Sequence, residues 1–250
     1  MINKYDYFDA WTKCGNPFME QGISPDDTVR ELASYGIRRG VMILKEQLYY
    51  NVHDAALKVQ EVISAYPDFR GLLTVVPSVT GEMPDAGQTL AHLPAHIVGI
   101  TLRLDWYRIP ARAVFLDDWY SAAENYHVPV WYRAENMEGL CYVADVLEHY
   151  PKLNMVLSVS EMWPNARKIF PLALKYRGLK MCMADFYWLG GIENFCQRVG
   201  AEQLVFSTDY PRKYPGSATM MLAQAEISER EKQMIAHQNM EKLIGGICCD

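Results

Sequence analysis

The sequence predicts an α/β protein, a single (β/α)8 TIM barrel spanning residues 1–250, on three observations. A chain of 250 residues, half of them hydrophobic, buries one full core and matches one such barrel in size. Eight short apolar or β-branched runs follow one another along the chain. Between them lie longer amphipathic stretches, the alternation of βα units on a parallel sheet.

Taken in order, the strands are expected near Asp6–Thr12, Arg39–Leu44, Leu72–Pro77, Val98–Arg103, Val128–Tyr132, Met155–Ser158, Met181–Asp185 and Leu204–Ser207. The intervening helices start at recognisable caps. Ser24 precedes Pro25 and Asp26, with proline at the first helical position, and Ser228-Glu229-Arg230-Glu231 has the spacing of a capping box. Tyr66-Pro67 and Tyr150-Pro151 stop helices and turn the chain toward the next strand.

Net charge of −6, with no run of like charges, argues against nucleic acid and anionic membrane surfaces as partners. The first residues enter a strand pattern directly, and no apolar stretch reaches membrane-spanning length, so a cytoplasmic protein is expected. Six cysteines stand without C-x-x-C or zinc-site spacing and read as reduced thiols; Cys14, just past the first strand, is a minor candidate nucleophile. Of six histidines, five fall on helices or before strands, and His53 alone follows a strand toward the rim where a barrel does chemistry.

Asp9-Ala-Trp-Thr-Lys-Cys-Gly15 opens the chain and Phe206-Ser-Thr-Asp-Tyr-Pro211 answers it near the end. Between them come Gly71–Pro77, Pro129–Tyr132 and Tyr150–Ser158, then the closing Asn239–Gly245. In this order and spacing the chain resembles the amidohydrolase-2 family, whose first strand reads D-x-H-x-H-x-G and whose last carries an aspartate. The resemblance implies a metal held by two strand-1 histidines, histidines ending strands 5 and 6, and the strand-8 aspartate. Those positions here are Trp11, Lys13, Arg133, Val159 and Asp209, of which only the aspartate offers a ligand at neutral pH. The expectation is therefore no metal and no other cofactor.

Alternation along the strands puts Lys13 on the face of Trp11, Arg103 with Asp105, and Arg133 with Glu135; Glu161, Asp185 and Asp209 come from strands 6, 7 and 8. Strands 1 and 8 adjoin when a barrel closes, so Lys13 is expected beside Asp209. The pair is either a structural ion pair or part of a site in which Lys13, Arg103 and Arg133 hold a small anionic substrate and Asp209 is the base. The 2-pyrone-4,6-dicarboxylate lactonase branch of the family implies the latter use of the aspartate and of arginines. Rim aromatics, among them Trp11, Trp106, Tyr132, Tyr187 and Tyr210, suit a planar ligand, and Tyr132 and Tyr187 could donate to an oxyanion. Three functions remain: a metal-independent, lactonase-like hydrolase; a lyase, isomerase or cyclase on an unsaturated acid; and a non-catalytic binding barrel. Oligomeric state is open, with a homodimer the ordinary expectation.

Overall fold

The computed structural model describes residues 4–15, 22–48, 51–102, 109–160 and 162–248. Eight parallel strands run in the order β1 (Tyr7–Cys14), β2 (Ile37–Leu44), β3 (Phe69–Thr74), β4 (Ile97–Thr101), β5 (Val130–Ala134), β6 (Met155–Val159), β7 (Leu179–Cys182) and β8 (Leu204–Val205). Backbone bonds from Ala10 N to Phe206 O (2.8 Å) and Lys13 N to Tyr210 O (2.7 Å) join β1 to the chain leaving β8 and close the barrel.

Two apolar layers hold it. Residues such as Tyr7, Met42, Leu157 and Met181 face the helices, while Ala10, Ile43, Val98, Trp131, Val156 and Val205 fill the interior. The alternation is broken where a register shift between Asp9 and Thr12 inserts one residue into β1, so that Ala10 and Trp11 both enter the interior layer. Trp131 crosses that interior and donates from Nε1 to Ala10 O at 3.0 Å. Gly99 makes room for it: a Cβ there would lie 2.3 Å from the Trp131 ring.

Helix α1 (Pro25–Ser34) is capped by Ser24, which accepts from Asp27 N, and α2 (Val52–Ser64) by Asn51, which accepts from Asp54 N. After α3 (Ala86–Ala91) come α4 (Asp117–Asn125), α5 (Met137–His149), α6 (Met162–Lys175), α7 (Gly191–Arg198) and α8 (Pro215–Gln224). Helix α9 (Glu229–Gln233) starts at the expected capping box on Ser228. It passes through a π-helical turn, Met234–Gln238, which frees Ile235 O to accept from Phe206 N at 2.9 Å. Asn239 then pins α10 (Asn239–Ile244) under β8 through Ala201 O and Leu204 O, and Met240 and Leu243 seal the amino end of the interior. No helix among the described residues is long and apolar enough to cross a membrane.

Strand positions depart from expectation at their ends. β3 begins three residues earlier, and β5 runs on to Ala134, two residues past the expected end. β7 stops at Cys182 because Met183–Asp185 coil into a single 3-10 turn. Arg103, Asp105, Trp106, Tyr107 and Glu161 lie outside the described residues.

Candidate active site

The carboxyl ends of β5 to β8 converge on one buried polar network. Trp131 and Arg133 share the inner face of β5, and Arg133 emerges from the packed layer just above the tryptophan, with 9 % of its side chain exposed. Its Nη1 donates to Asp209 Oδ1 at 3.1 Å and to Ser158 Oγ at 3.0 Å, and its Nε pairs with Glu135 Oε1 at 2.7 Å. Asp209 is 2 % exposed and accepts at Oδ2 from Arg212 Nε at 2.6 Å. Ser158 Oγ donates in turn to Asp185 Oδ2 at 3.0 Å, whose other oxygen is 3.1 Å from Lys213 Nζ.

Local backbone geometry aims these groups. The 3-10 turn after β7 swings the fully buried Asp185 back toward β6, where it also accepts from Val159 N at 2.8 Å. Asp209 takes a left-handed backbone conformation, φ 53°, one that aspartate and asparagine tolerate better than other side chains. That turn lets Lys213 N reach back to Asp209 O at 3.1 Å and brings Arg212 and Lys213 over the mouth.

Burial sets the protonation. Burial opposes charge on Arg133, but the fields of Asp209, Glu135 and Asp185 outweigh it and hold the guanidinium firmly protonated. Burial pushes the Asp185 carboxyl up, against Lys213, Val159 N and Arg133. Asp9, fully buried beneath the network, is pushed up to about 6 by burial; bonds from Thr208 and Trp11 N oppose the shift and the charge of Asp209 adds to it.

Several expectations are corrected by this geometry. Where Lys13 was expected beside Asp209, the ion pairs among the described residues come from Arg133 and Arg212: the fork of Arg133 spans from β5 and Arg212 lies three residues along. Val159, aligned with a strand-6 ligand, packs toward the helices, and Ser158 is the inward residue at that level. Tyr132 faces the helix side of β5 with its hydroxyl beside Gly139, yet lines with Arg133 and Glu135 a cavity of about 260 Å3. Tyr210 turns toward α1, where Glu31 and Asp27 act on its hydroxyl. Tyr187 stands on the rim, 57 % exposed, with Lys213 Nζ 5.2 Å from its ring centre. His53 is exposed on α2 over a different cavity, and Cys14 is fully buried with its thiol pushed up by burial, which removes both from the chemistry.

Trp11 is 3 % exposed in the interior layer, and its Nε1 is a buried donor with no acceptor among the described residues. Arg212 and Lys213 were missing from the sequence-based set. Their signal was the aspartate itself: cations three and four residues past it reach back once the chain turns in the left-handed region.

No protein-family model matches the sequence, and no curated protein does. Solved structures match the fold. An uncharacterised TIM-barrel protein of Bordetella bronchiseptica superposes with a TM-score of 0.71 at 22 % identity, over 89 % of this chain and 83 % of that one. A dihydroxybenzoic acid decarboxylase of Polaromonas, solved with manganese and 2-nitroresorcinol, matches at 0.72 and 14 % over 96 % and 97 %. An amidohydrolase 2 of Bifidobacterium longum subsp. infantis matches at 0.69 and 13 % over 97 % and 99 %. What these likenesses show is the fold, a (β/α)8 barrel shared over nearly the whole of each chain.

Proposed function

We propose that the chain is an amidohydrolase-2 enzyme that works without a divalent ion on a small, planar, anionic carboxylic acid held at the mouth of the barrel. The reaction we assign is hydrolysis of a lactone or related acyl bond, with Asp209 as general base. One observation carries the reading: Arg133 occupies the centre of the mouth and binds the strand-8 aspartate directly.

The donor set there does not suit a divalent ion. Asp209 and Asp185 already hold Arg133, Arg212 and Lys213, and a further cation would have to displace them. Among the described residues the one cluster with metal-like spacing is Asp6, His237 and Glu241, which lies outside this network and holds Arg39 through both carboxylates.

The same contacts suggest how an anion starts the reaction. Arg212 is 44 % exposed and is the outermost partner of Asp209. A substrate carboxylate that recruits its guanidinium competes with Asp209 Oδ2, and guanidinium forks suit carboxylates. Released from one partner, Asp209 takes a proton from water as the water oxygen attacks the acyl carbon. The acyl–oxygen bond then breaks and the leaving oxygen takes up the proton that Asp209 holds, which restores the carboxylate. Arg133 and the ammonium of Lys13 stabilise charge on the tetrahedral oxygen, and Tyr187 at the rim is placed to close over the ring. Trp11 Nε1 is a further unengaged donor.

A second reading, decarboxylation of an aromatic acid, is favoured by the Polaromonas match and by a 2,6-dihydroxybenzoate decarboxylase that superposes with a TM-score of 0.74. The two separate cleanly. A panel of lactones and planar carboxylic acids is assayed in 18O-labelled water: hydrolysis places the label in the product acid, whereas decarboxylation yields an organic product shorter by one carboxyl group and without the label. Asp209→Asn, which keeps the left-handed backbone favourable, should lower turnover by about 100-fold or more while the protein stays folded. Unchanged turnover would sink the assignment of the base.

A further inference from the structure

At the opposite, amino-terminal end of the barrel lies a cavity of about 680 Å3 between the starts of β5 to β8 and the C-terminal helices. Arg177, Lys180, Arg230 and Lys242 line it together with His127, and among the described residues Glu202 is its only acid. In a chain of net charge −6 this is a local reversal of sign.

Lys180 is the centre of the arrangement. It shares a strand face with Cys182, which belongs to the interior layer, so its partly buried side chain runs along the bottom of the barrel to the cavity. One N–H is donated to Glu202 O at 2.9 Å, and an ammonium has three. Burial pushes Lys180 down to about 8; Glu202 opposes that shift, and the charges of Lys242 and Arg177 add to it. Among the described residues no carboxylate pairs with Lys180, Arg230 or Lys242, and the acid present, Glu202, is 3.8 Å from Arg177. Among the described residues three of the four cations are thus gathered around a space without a paired carboxylate. Among the described residues two non-glycine residues have left-handed backbones: Asp209 at the mouth and His127 (φ 55°) on the wall of this cavity.

We propose that this cavity is a second binding site, for a small oxyanion of two or more negative charges, either a phosphate compound or a polycarboxylate, with Lys180 and Lys242 as its principal contacts and Arg177 and Arg230 at its edge. The site is separate from the chemistry at the mouth and stands whether or not the reaction assigned there is correct.

The test is calorimetric titration of the full chain with inorganic pyrophosphate and with citrate, at ionic strength held constant with chloride. Saturable one-to-one binding is expected for at least one of them, and the tighter of the two identifies the ligand chemistry. Lys242→Gln, an exposed change that leaves folding intact, should weaken binding about 10-fold, and Lys180→Met should do so more strongly. Arg212→Gln, at the mouth, should leave it unchanged. Lys180 titrates near 8 in the free protein, and its side-chain NMR titration should move to higher pH with the ligand bound. No saturable binding above the chloride control, or binding lost in Arg212→Gln and kept in Lys242→Gln, would overturn the proposal.

Discussion

Arg133 and Asp209 show how one guanidinium organises a site. A guanidinium delivers five N–H donors in a fixed fork, and here it engages Glu135, Asp209 and Ser158 at once. Removing it leaves Asp209, 2 % exposed, with one partner. Arg133→Gln should therefore destabilise the protein by about 3 kcal/mol or more and lower turnover by about 100-fold. Arg133→Lys should rescue little of either, since one ammonium cannot span the three acceptors; recovery of wild-type turnover and denaturation midpoint in the lysine variant would show that charge alone suffices. Asp9 makes a pH prediction. Its carboxyl is pushed up from 3.8 to about 6, so between those values the folded state keeps a proton that the unfolded state releases. Stability from this group is greatest below pH 4 and is lost as pH rises through 6, by about 3 kcal/mol. Denaturant unfolding of wild type and Asp9→Asn from pH 4 to 7 should show the wild type losing stability relative to the variant; a constant difference would contradict it.

The elements were largely legible because hydrophobic period and capping residues act locally. Ser24 and Ser228 were readable as caps from spacing alone, and both accept the predicted backbone N–H. Ser228→Ala should cost about 1 kcal/mol, read as a lower thermal midpoint. What alternation could not foresee were the places where it fails. The extra residue in β1 sends Ala10 and Trp11 to the same side, and the turn after β7 re-aims Asp185. The network followed the same pattern: Arg133, Asp185 and Asp209 were identifiable from strand position, whereas the partners of Asp209 depend on a turn that no periodicity encodes. Alignment put Val159 at a ligand position but did not give the face it presents, which is toward the helices. Gly99 is the element-scale point where β4 admits the Trp131 ring. Gly99→Ala should destabilise by about 1–3 kcal/mol, and a midpoint equal to wild type would mean that the indole is not fixed across the interior.

At the scale of the molecule, the barrel separates its two charged regions. Interior packing by Trp11, Trp131, Met240 and their neighbours lies between the mouth and the amino end. That is why fold class was readable from composition and alternation while chemistry was not: the scaffold is shared in outline with a decarboxylase that is 14 % identical, and the chemistry of such a scaffold is set by rim side chains that alternation does not choose. The central claim is that guanidinium and ammonium groups hold the place a divalent ion takes elsewhere on this fold. Its most direct test is inductively coupled plasma mass spectrometry on protein purified without exposure to metal-charged resin, paired with turnover before and after chelation. Metal far below stoichiometric amounts, with turnover unchanged by chelator, is the predicted result. A stoichiometric zinc, manganese or iron ion whose removal abolishes turnover would contradict it.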